Sequence, residues 1–360
     1  MSDVIRTIDQ IDADWLTHAL RSTGTIQSSV SAVEVQTIGE GVGLMAQLAR
    51  LKLTYAGSEQ APETMIAKLA VQNENKAVAQ VLDFYNRETN FYRKLGKECP
   101  MRVPDSYFGV VDQEAYDFVL LMEDLGDVSP NDQLVGSSEE EAFAAVDRIA
   151  GLHARWWQKV RTPALSWMYD QFSEAEAIKL GTVLYTPSVA PTLEKFADFF
   201  TPERERIFTR VGEDFGRYWI RGVSEFETFV HGDYRQDNMI YPAGSLDAIV
   251  MDWQISGIGR GMFDVTYFIC QSLQSELRVQ LEKPLIERYL ARLREGGVSG
   301  YDMPQAWNDY RHLVLACLVY PATVCGSLDL SNERGRLLAE SMLERNMLAI
   351  EELGCSELVC

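Results

Sequence analysis

The chain has 360 residues, 46% of them hydrophobic and 24% charged, long enough for two domains or for one domain with two lobes. That composition excludes a disordered chain, a collagen-like repeat and a small disulfide-stapled scaffold. The formal net charge of −20, from 53 acidic against 33 basic residues, argues against nucleic acid and anionic membrane as partners, because both require a basic face.

In chain order, Asp12 to Arg21 reads as a short helix capped by Asp12 or Asp14. Ser31 to Ile38 alternates as a strand does. A glycine cluster, Gly39-Glu40-Gly41-Val42-Gly43, precedes a second alternating run from Met45 to Tyr55, which makes a hairpin. Thr64 to Ala70 is a third strand carrying Lys68. Asn75 to Lys97 has the period of one long amphipathic helix, and Asp105 to Val111 and Tyr116 to Met122 are two more strands. These stretches predict a small sheet with one major helix. Glu123-Asp124-Leu125-Gly126-Asp127 is polar and turn-prone. Beyond it a helix is expected from about Ser138 to Val160, capped by Ser137 or Ser138, with Glu139, Glu140 and Glu141 in its first turn. The remainder reads as mostly helical, interrupted by one short hairpin near 238–252. The expected architecture is therefore α+β and bilobal: residues 1–122 form an N-terminal lobe, 123–128 a hinge, and 129–360 a larger, mainly helical lobe.

Between Arg155 and Phe229 the chain is rich in aromatics, among them Trp156, Trp157, Phe172, Phe196, Tyr218 and Trp219. They read either as ordinary core or as the lining of an apolar or planar pocket. The six cysteines, Cys99, Cys270, Cys317, Cys325, Cys355 and Cys360, form no C-x-x-C pair, and no histidine stands near them at zinc-ligand spacing; free thiols in a reducing cytosol are expected. Met1 to Gln10 lacks the apolar core of a signal peptide. Leu313 to Cys325 is too short to span a bilayer, contains Pro321, and should be a core helix. A cytoplasmic protein with no membrane partner follows from these features.

The strongest chemical signal is His231-Gly232-Asp233-Tyr234-Arg235-Gln236-Asp237-Asn238, followed by Asp252 in Val250-Met251-Asp252-Trp253. A hairpin between them, out along Met239 to Tyr241 and back along Leu246 to Met251, brings Asn238 and Asp252 to one open end beside Asp233. One amide oxygen and one carboxylate suit Mg²⁺, a hard cation that keeps other positions for water or phosphate. By average residue usage, H-G-D-x₄-N arises in about one chain in a thousand of this length. Lys68 lies mid-strand, so it is either an edge residue facing water or a buried cation that needs a partner. Glu88 falls on the apolar stripe Val81, Phe84, Phe91, Tyr92, Leu95 of the long helix and can be that partner; Glu74 is the alternative. A strand lysine aimed by a helix glutamate suits the α- and β-phosphates of ATP. Gly39, Gly41 and Gly43 stand where a phosphate-covering loop belongs, without the G-K-[ST] of a Walker A loop. Arg235 either braces its own loop or stabilises charge on a transferring phosphoryl group. His153 reads as a satisfied core histidine.

H-G-D-x₄-N followed by a strand-borne aspartate resembles the signature of the aminoglycoside phosphotransferase and choline kinase superfamily, and the wording "HGDYRQDNMIY" and "IVMDWQISGIGRGMFD" is most similar to its ecdysteroid-kinase-like branch. The resemblance runs along nearly the whole chain. It implies a protein-kinase-like fold, ATP and Mg²⁺ as cofactors, and transfer of the γ-phosphoryl group to a hydroxyl of a small molecule; the aromatic richness of 155–229 tilts the expected acceptor toward an apolar or aromatic one. The resemblance implies Asp233 as the base that orients the acceptor hydroxyl, and Lys68 on the phosphates. Asn238 and Asp252 would bind the metal. His231 would brace the loop and Asp264 would hold it in place. Glu123 and Leu125 would offer hinge backbone groups to adenine. A nucleotide-binding module without transfer activity is the rival reading, and the full set Lys68, Glu88, Asp233, Asn238 and Asp252 speaks against it.

Overall fold

The computed structural model describes residues 4–38, 45–128, 130–220, 223–327 and 333–359. The chain divides into two compact units, Met1–Val128 with Val250–Ile255, and Ser129–Ile249 with Ser256–Cys360.

The first unit is built on a five-stranded antiparallel sheet in the order β1-β2-β3-β5-β4. Its strands are β1 (Val30–Ile38), β2 (Ala46–Tyr55), β3 (Thr64–Ala70), β4 (Ser106–Val111) and β5 (Phe118–Glu123). Its helices are α1 (Ala13–Ser22), α2 (Asn75–Val81) and α3 (Phe84–Lys94). Alternate residues of a strand face opposite sides of the sheet. Ala49, Leu51, Met65, Ala67, Leu69, Val119 and Leu121 form one core with Trp15, Leu16, Ala19 and Leu20 of α1, and the intervening Lys68 faces the other side, toward α3. β5 is buried along nearly its whole length, whereas the edge strand β1 is mostly exposed. The cap of α1 is Asp12, whose Oδ1 accepts from Trp15 N at 2.7 Å.

The helix expected from Asn75 to Lys97 is two helices. Asp83 stands in the left-handed region at φ 58° and ends α2; its carboxylate accepts from Asn86 Nδ2 and from the Tyr116 hydroxyl, at 2.8 and 3.1 Å. Aspartate tolerates this conformation without glycine, so the sequence carries no breaker there. Val81 consequently leaves the apolar stripe and is exposed, while Phe84, Glu88, Phe91, Tyr92 and Leu95 are buried as expected.

The second unit is mainly helical. It contains α4 (Glu139–Trp156), α5 (Glu174–Leu180), α6 (Thr186–Lys195), α7 (Pro202–Glu213), α8 (Phe215–Ile220), α9 (Gly261–Ser272), α10 (Ser275–Glu295), α11 (Met303–Ala316), α12 (Val319–Ser327) and α13 (Glu333–Glu352). Short strands β6 (Thr228–Val230) and β9 (Gly257–Gly259) pair with each other, as do β7 (Met239–Ile240) and β8 (Ile249–Val250). The expected hairpin near 238–252 is thus present, with only two residues in each strand. α4 opens on a reciprocal cap: Ser138 Oγ accepts from Glu141 N at 3.2 Å, and Glu141 Oε2 accepts from Ser138 N at 2.9 Å, the arrangement that satisfies two otherwise orphaned donors. It stops at Trp156, short of Val160, and Gln158 follows at φ 55°. α10 is tied to α4 through Asp147, which accepts from both Arg288 and Arg292 at 2.6–2.9 Å.

The apolar stretch Leu313 to Cys325 is buried for most of its length, but as two helices. Pro321 lies in the first turn of α12; its ring cannot follow a helical carbonyl four residues earlier, at Cys317, and the break falls there. The aromatics of 155–229 are largely core: Phe172 stacks on Trp219 at 4.5 Å, Trp219 meets Phe263 edge-on at 4.7 Å, and Trp157 stacks on Phe226 at 5.6 Å. Most of these rings pack against one another, while Trp167, Tyr169, Phe199 and Phe200 are half-buried. Among the described residues, Cys99, Cys270, Cys317, Cys325 and Cys355 form no disulfide. Among the described residues, no helix is long and apolar enough to cross a membrane.

Residues 250–255 are packed into the first unit: Trp253, fully buried, lies parallel to Phe91 of α3 with centroids 3.8 Å apart, and Val250 N donates to Arg102 O at 2.9 Å. Trp253→Ala should lower the unfolding free energy by about 3–5 kcal/mol, read from urea denaturation followed by circular dichroism.

Candidate active site

In the first unit Lys68 is on the central strand β3, opposite Leu48 of β2 and Leu120 of β5. The edge-residue reading is therefore excluded, and the ammonium is buried. Its Nζ donates to Glu88 Oε1 at 2.8 Å and to Asp252 Oδ1 at 3.0 Å. Glu88 is 1% exposed; Glu74, the alternative partner, is exposed at the start of α2. Burial works against the charge on Lys68, but Asp252 and Glu88 outweigh it and hold the ammonium above its ordinary pKa. Burial pushes Glu88 up to about 7 against the pull of Lys68, with Asp252 adding to the rise. Oε2 of Glu88 has no hydrogen-bond partner among the described residues.

Asp252 is held in this position by its neighbours. Trp253 stacks on Phe91 and donates its indole N–H to Val250 O at 3.2 Å. Arg87 of α3, also buried, donates to Ile255 O at 2.5 Å. Between these anchors Asp252 takes φ 60°, a conformation of some cost for a residue with a Cβ that persists because both flanks are fixed. Arg87 and Trp253 were not legible as site residues in the sequence; their signal is the flanking of the aspartate by a tryptophan that a loop does not need.

The expected hinge residues lie at the end of β5. Glu123 N donates to Asp105 O at 2.8 Å, and its carboxylate accepts from Arg102 Nη2 at 2.6 Å to both oxygens. Its backbone donor is thus engaged within the sheet edge. Leu125 is half-buried. Arg50 reaches the same stretch, with Asp124 at 3.0 Å and Gly126 O at 2.7 Å. Gly39, Gly41 and Gly43 lie outside the described residues.

In the second unit the segment 231–238 is pinned by one carboxylate. Asp264, in the first turn of α9, accepts from His231 N at 2.7 Å and from Gly232 N at 2.8 Å through different oxygens. Gly232 has φ 88°, which a Cβ would disfavour. Asp264 is itself held by His153, whose Nε2 lies 3.2 Å away and whose Nδ1 lies 2.9 Å from Tyr289 Oη. Gly261 admits this group: a Cβ there would stand 2.5 Å from Tyr289 Oη and 2.9 Å from His153 Nδ1. The core-histidine expectation for His153 and the anchoring expectation for Asp264 both match these contacts. Tyr320, on α12, donates its hydroxyl to Gly232 O; no sequence pattern marked it.

His231 Nδ1 accepts from Asp233 N at 3.1 Å, so His231 braces the loop. Asp233 Oδ2 accepts from Asn238 Nδ2 at 2.9 Å and Oδ1 from Arg235 Nε at 3.1 Å. Asn238 also donates to Asp233 O at 2.8 Å. With its amide nitrogen committed to two bonds, the amide oxygen of Asn238 is the group left for another ligand. Arg235 contacts Asp233, Asp237 and Gln133, so loop bracing is what its geometry shows. The donor set expected for Mg²⁺, the amide oxygen of Asn238 and the carboxylate of Asp252, is all hard oxygen, as that cation requires. Among the described residues no cluster of three or more His, Cys, Asp or Glu is placed to hold a metal ion.

These observations define a bilobal α+β chain with a sheet lysine paired to a helix glutamate and an H-G-D loop anchored by a later aspartate. The chain belongs to the ecdysteroid kinase-like family, which matches residues 40–297. Its fold is protein-kinase-like. It is similar to the choline kinase LicA from Streptococcus pneumoniae, at 16% identity and TM-score 0.50, covering 87% of this chain and 92% of that one. It is also similar to the wild-type aminoglycoside 2'-phosphotransferase-IIIa in its GDP complex, at 11% identity and TM-score 0.51, covering 92% of this chain and 97% of that one. At such identities the likeness is one of fold. No curated protein matches the chain.

The raised pKa of Glu88 gives a pH dependence. A carboxyl at about 7 in the folded chain and 4.5 as its reference binds more protons folded than unfolded between those values, so stability falls as pH rises through that window. Urea denaturation at pH 5 and pH 7.5 should show the wild type losing stability across this range relative to Glu88→Gln. Parallel curves for the two proteins would contradict the raised pKa.

Proposed function

We propose that this chain is an ATP- and Mg²⁺-dependent kinase that transfers the γ-phosphoryl group to a hydroxyl of a small molecule. The observation that supports this most is Lys68: a buried ammonium on a central strand, held between Glu88 and Asp252. A buried ion pair is a poor device for stability, since an apolar residue of similar volume does as well or better. Its presence is better explained by a polyphosphate that the ammonium contacts.

In this reading Lys68 binds the α- and β-phosphates and Glu88 aims it. Asn238 and Asp252 would hold Mg²⁺, which neutralises phosphate charge when bound. Asp233 accepts the proton of the acceptor hydroxyl as the acceptor oxygen forms its bond to the γ-phosphorus and the bond to the β–γ bridging oxygen breaks, releasing ADP. Asn238 and Arg235 orient the Asp233 carboxylate through its two oxygens. Asp264, His231 and Tyr320 fix the loop backbone. Catalysis is thus mostly positioning and charge neutralisation. The backbone of the glycine cluster Gly39, Gly41 and Gly43 would cover the phosphates, and the stretch from Glu123 to Leu125 would meet the base through backbone groups. The lobes would be residues 1–122 and 129–360, joined by a hinge at 123–128. The net charge of −20 favours a small-molecule acceptor over nucleic acid.

The test is ADP release from Mg-ATP across a panel of hydroxylated small molecules, including sterols, hydroxy acids, choline and aminoglycosides. Asp233→Asn should lose about 10²–10⁴ in transfer, the range of a general base, while retaining its affinity for Mg-ATP. Lys68→Met should weaken nucleotide binding. Normal turnover by Asp233→Asn would remove its role as base. Tight Mg-ATP binding with no acceptor-dependent ADP release anywhere in the panel would favour a nucleotide-binding module without transfer.

A further inference from the structure

Gln133 is fully buried in the second unit, and its hydrogen-bonding groups are divided between the segment that carries Asp233 and two helices. Its backbone N–H donates to Asp237 Oδ1 at 2.8 Å. Its side-chain Oε1 accepts from Arg235 Nη1 at 2.5 Å. Its Nε2 donates to Gln271 Oε1 at 3.4 Å, and its carbonyl accepts from Arg345 Nη1 at 2.7 Å. One residue therefore joins Arg235 and Asp237 to α9 and α13. The network continues inward: Gln271 Nε2 donates to Met342 O at 3.2 Å, and Asn346 Nδ2 donates to Val314 O at 2.8 Å. The turn around Gln133 is fixed as well, since Ser137 N donates to Ser272 O at 2.6 Å and Gln274 Nε2 donates to Leu134 O at 2.8 Å.

A buried amide this far from solvent must find partners or cost stability, and here those partners are Arg235 of the loop and Gln271 of α9. Among the described residues, Arg235 hydrogen-bonds Asp233, Asp237 and Gln133. Two are carboxylates and the third is a neutral oxygen. Neutrality has a consequence, because a third carboxylate would compete with Asp233 for the guanidinium. Gln133 holds the far edge of Arg235 without drawing its charge away, and Arg235 Nε stays on Asp233 Oδ1.

We propose that the Gln133 side chain is a positioning group for phosphoryl transfer, acting through Arg235 to fix the rotamer of the Asp233 carboxylate. This rests on the kinase reading of Asp233 above. Removing the amide leaves the nucleotide contacts of the first unit alone, so the effect should appear in the transfer step and not in ATP binding.

The experiment compares wild type, Gln133→Met, Gln133→Glu and Asp233→Asn by steady-state ADP release, with the best acceptor of the panel or with water as acceptor if none is found. Hydrogen–deuterium exchange of peptides spanning 231–240 is read in parallel. Gln133→Met should lower kcat roughly 10–100-fold, the scale of a small misplacement of a catalytic group, with KM for ATP changing less than about twofold. Gln133→Glu keeps the shape and the acceptor for Arg235 but adds a charge that competes with Asp233, and should also lower kcat; it serves as the readout if Gln133→Met does not fold. Both should exchange faster across 231–240. An unchanged kcat and unchanged exchange in the variants, with Asp233→Asn inactive, would overturn the positioning role. Full turnover by Asp233→Asn would instead remove the role of Asp233 as base on which this proposal rests, and loop exchange would still decide whether Gln133 holds the segment.

Discussion

The first unit is organised around the need to bury one ammonium in a sheet. Lys68 occupies a central strand, where alternation gives its side chain no route to water. An unpaired cation there would be costly, so two carboxylates must be delivered to the same face. Glu88 comes from α3, which has to lie across that face, and Asp252 comes from a segment almost two hundred residues away in sequence. The stack of Trp253 on Phe91 and the bond from Arg87 to Ile255 O are the means by which that distant segment is held. The break at Asp83 belongs to the same constraint, because it starts α3 afresh with Phe84, Glu88, Phe91 and Tyr92 on one buried stripe.

The second unit repeats the device with backbone in place of ammonium. Asp264 is a fully buried carboxylate, and it is satisfied by two main-chain N–H groups and by His153. Those bonds fix the path of His231 and Gly232 and leave Asp233 at the start of a turn that closes at Asn238. The glycines at 232 and 261 are required for different reasons, one for its positive φ and the other for the space taken by His153 and Tyr289. Side chains around the turn, from Gln133 to Tyr320, then settle which way Asp233 faces.

The local parts of this arrangement were legible in the sequence. Strand alternation gave β3 the same bounds in the structure, and the helical stripe singled out Glu88 before any contact was known. The H-G-D-x₄-N spacing marked the loop because its residue types are scarce enough to be improbable together. What escaped the sequence has a common cause. Asp83, Asp252 and Gln158 adopt positive φ with no glycine to announce it, and Pro321 broke a stretch whose hydropathy is continuous. Arg87, Trp253, Gln133 and Tyr320 act through partners far away in the chain, a relation that no periodicity encodes. The aromatics of 155–229 were ambiguous for a related reason: composition does not say whether a ring packs against another ring or against a ligand.

The charge balance at Lys68 gives a physical reason for the metal that the proposed reaction requires. One ammonium faces two carboxylates, and the surplus negative charge shows in Glu88, which burial and Asp252 together push up to about 7. Placing a divalent cation on Asp252 would relieve the surplus, draw Glu88 toward its charged form, and leave Lys68 paired with Glu88 alone. The ammonium would then be free on its other side for phosphate oxygens. In the proposed reading, Mg-ATP binding and protonation of Glu88 would be linked, with binding favouring release of the proton.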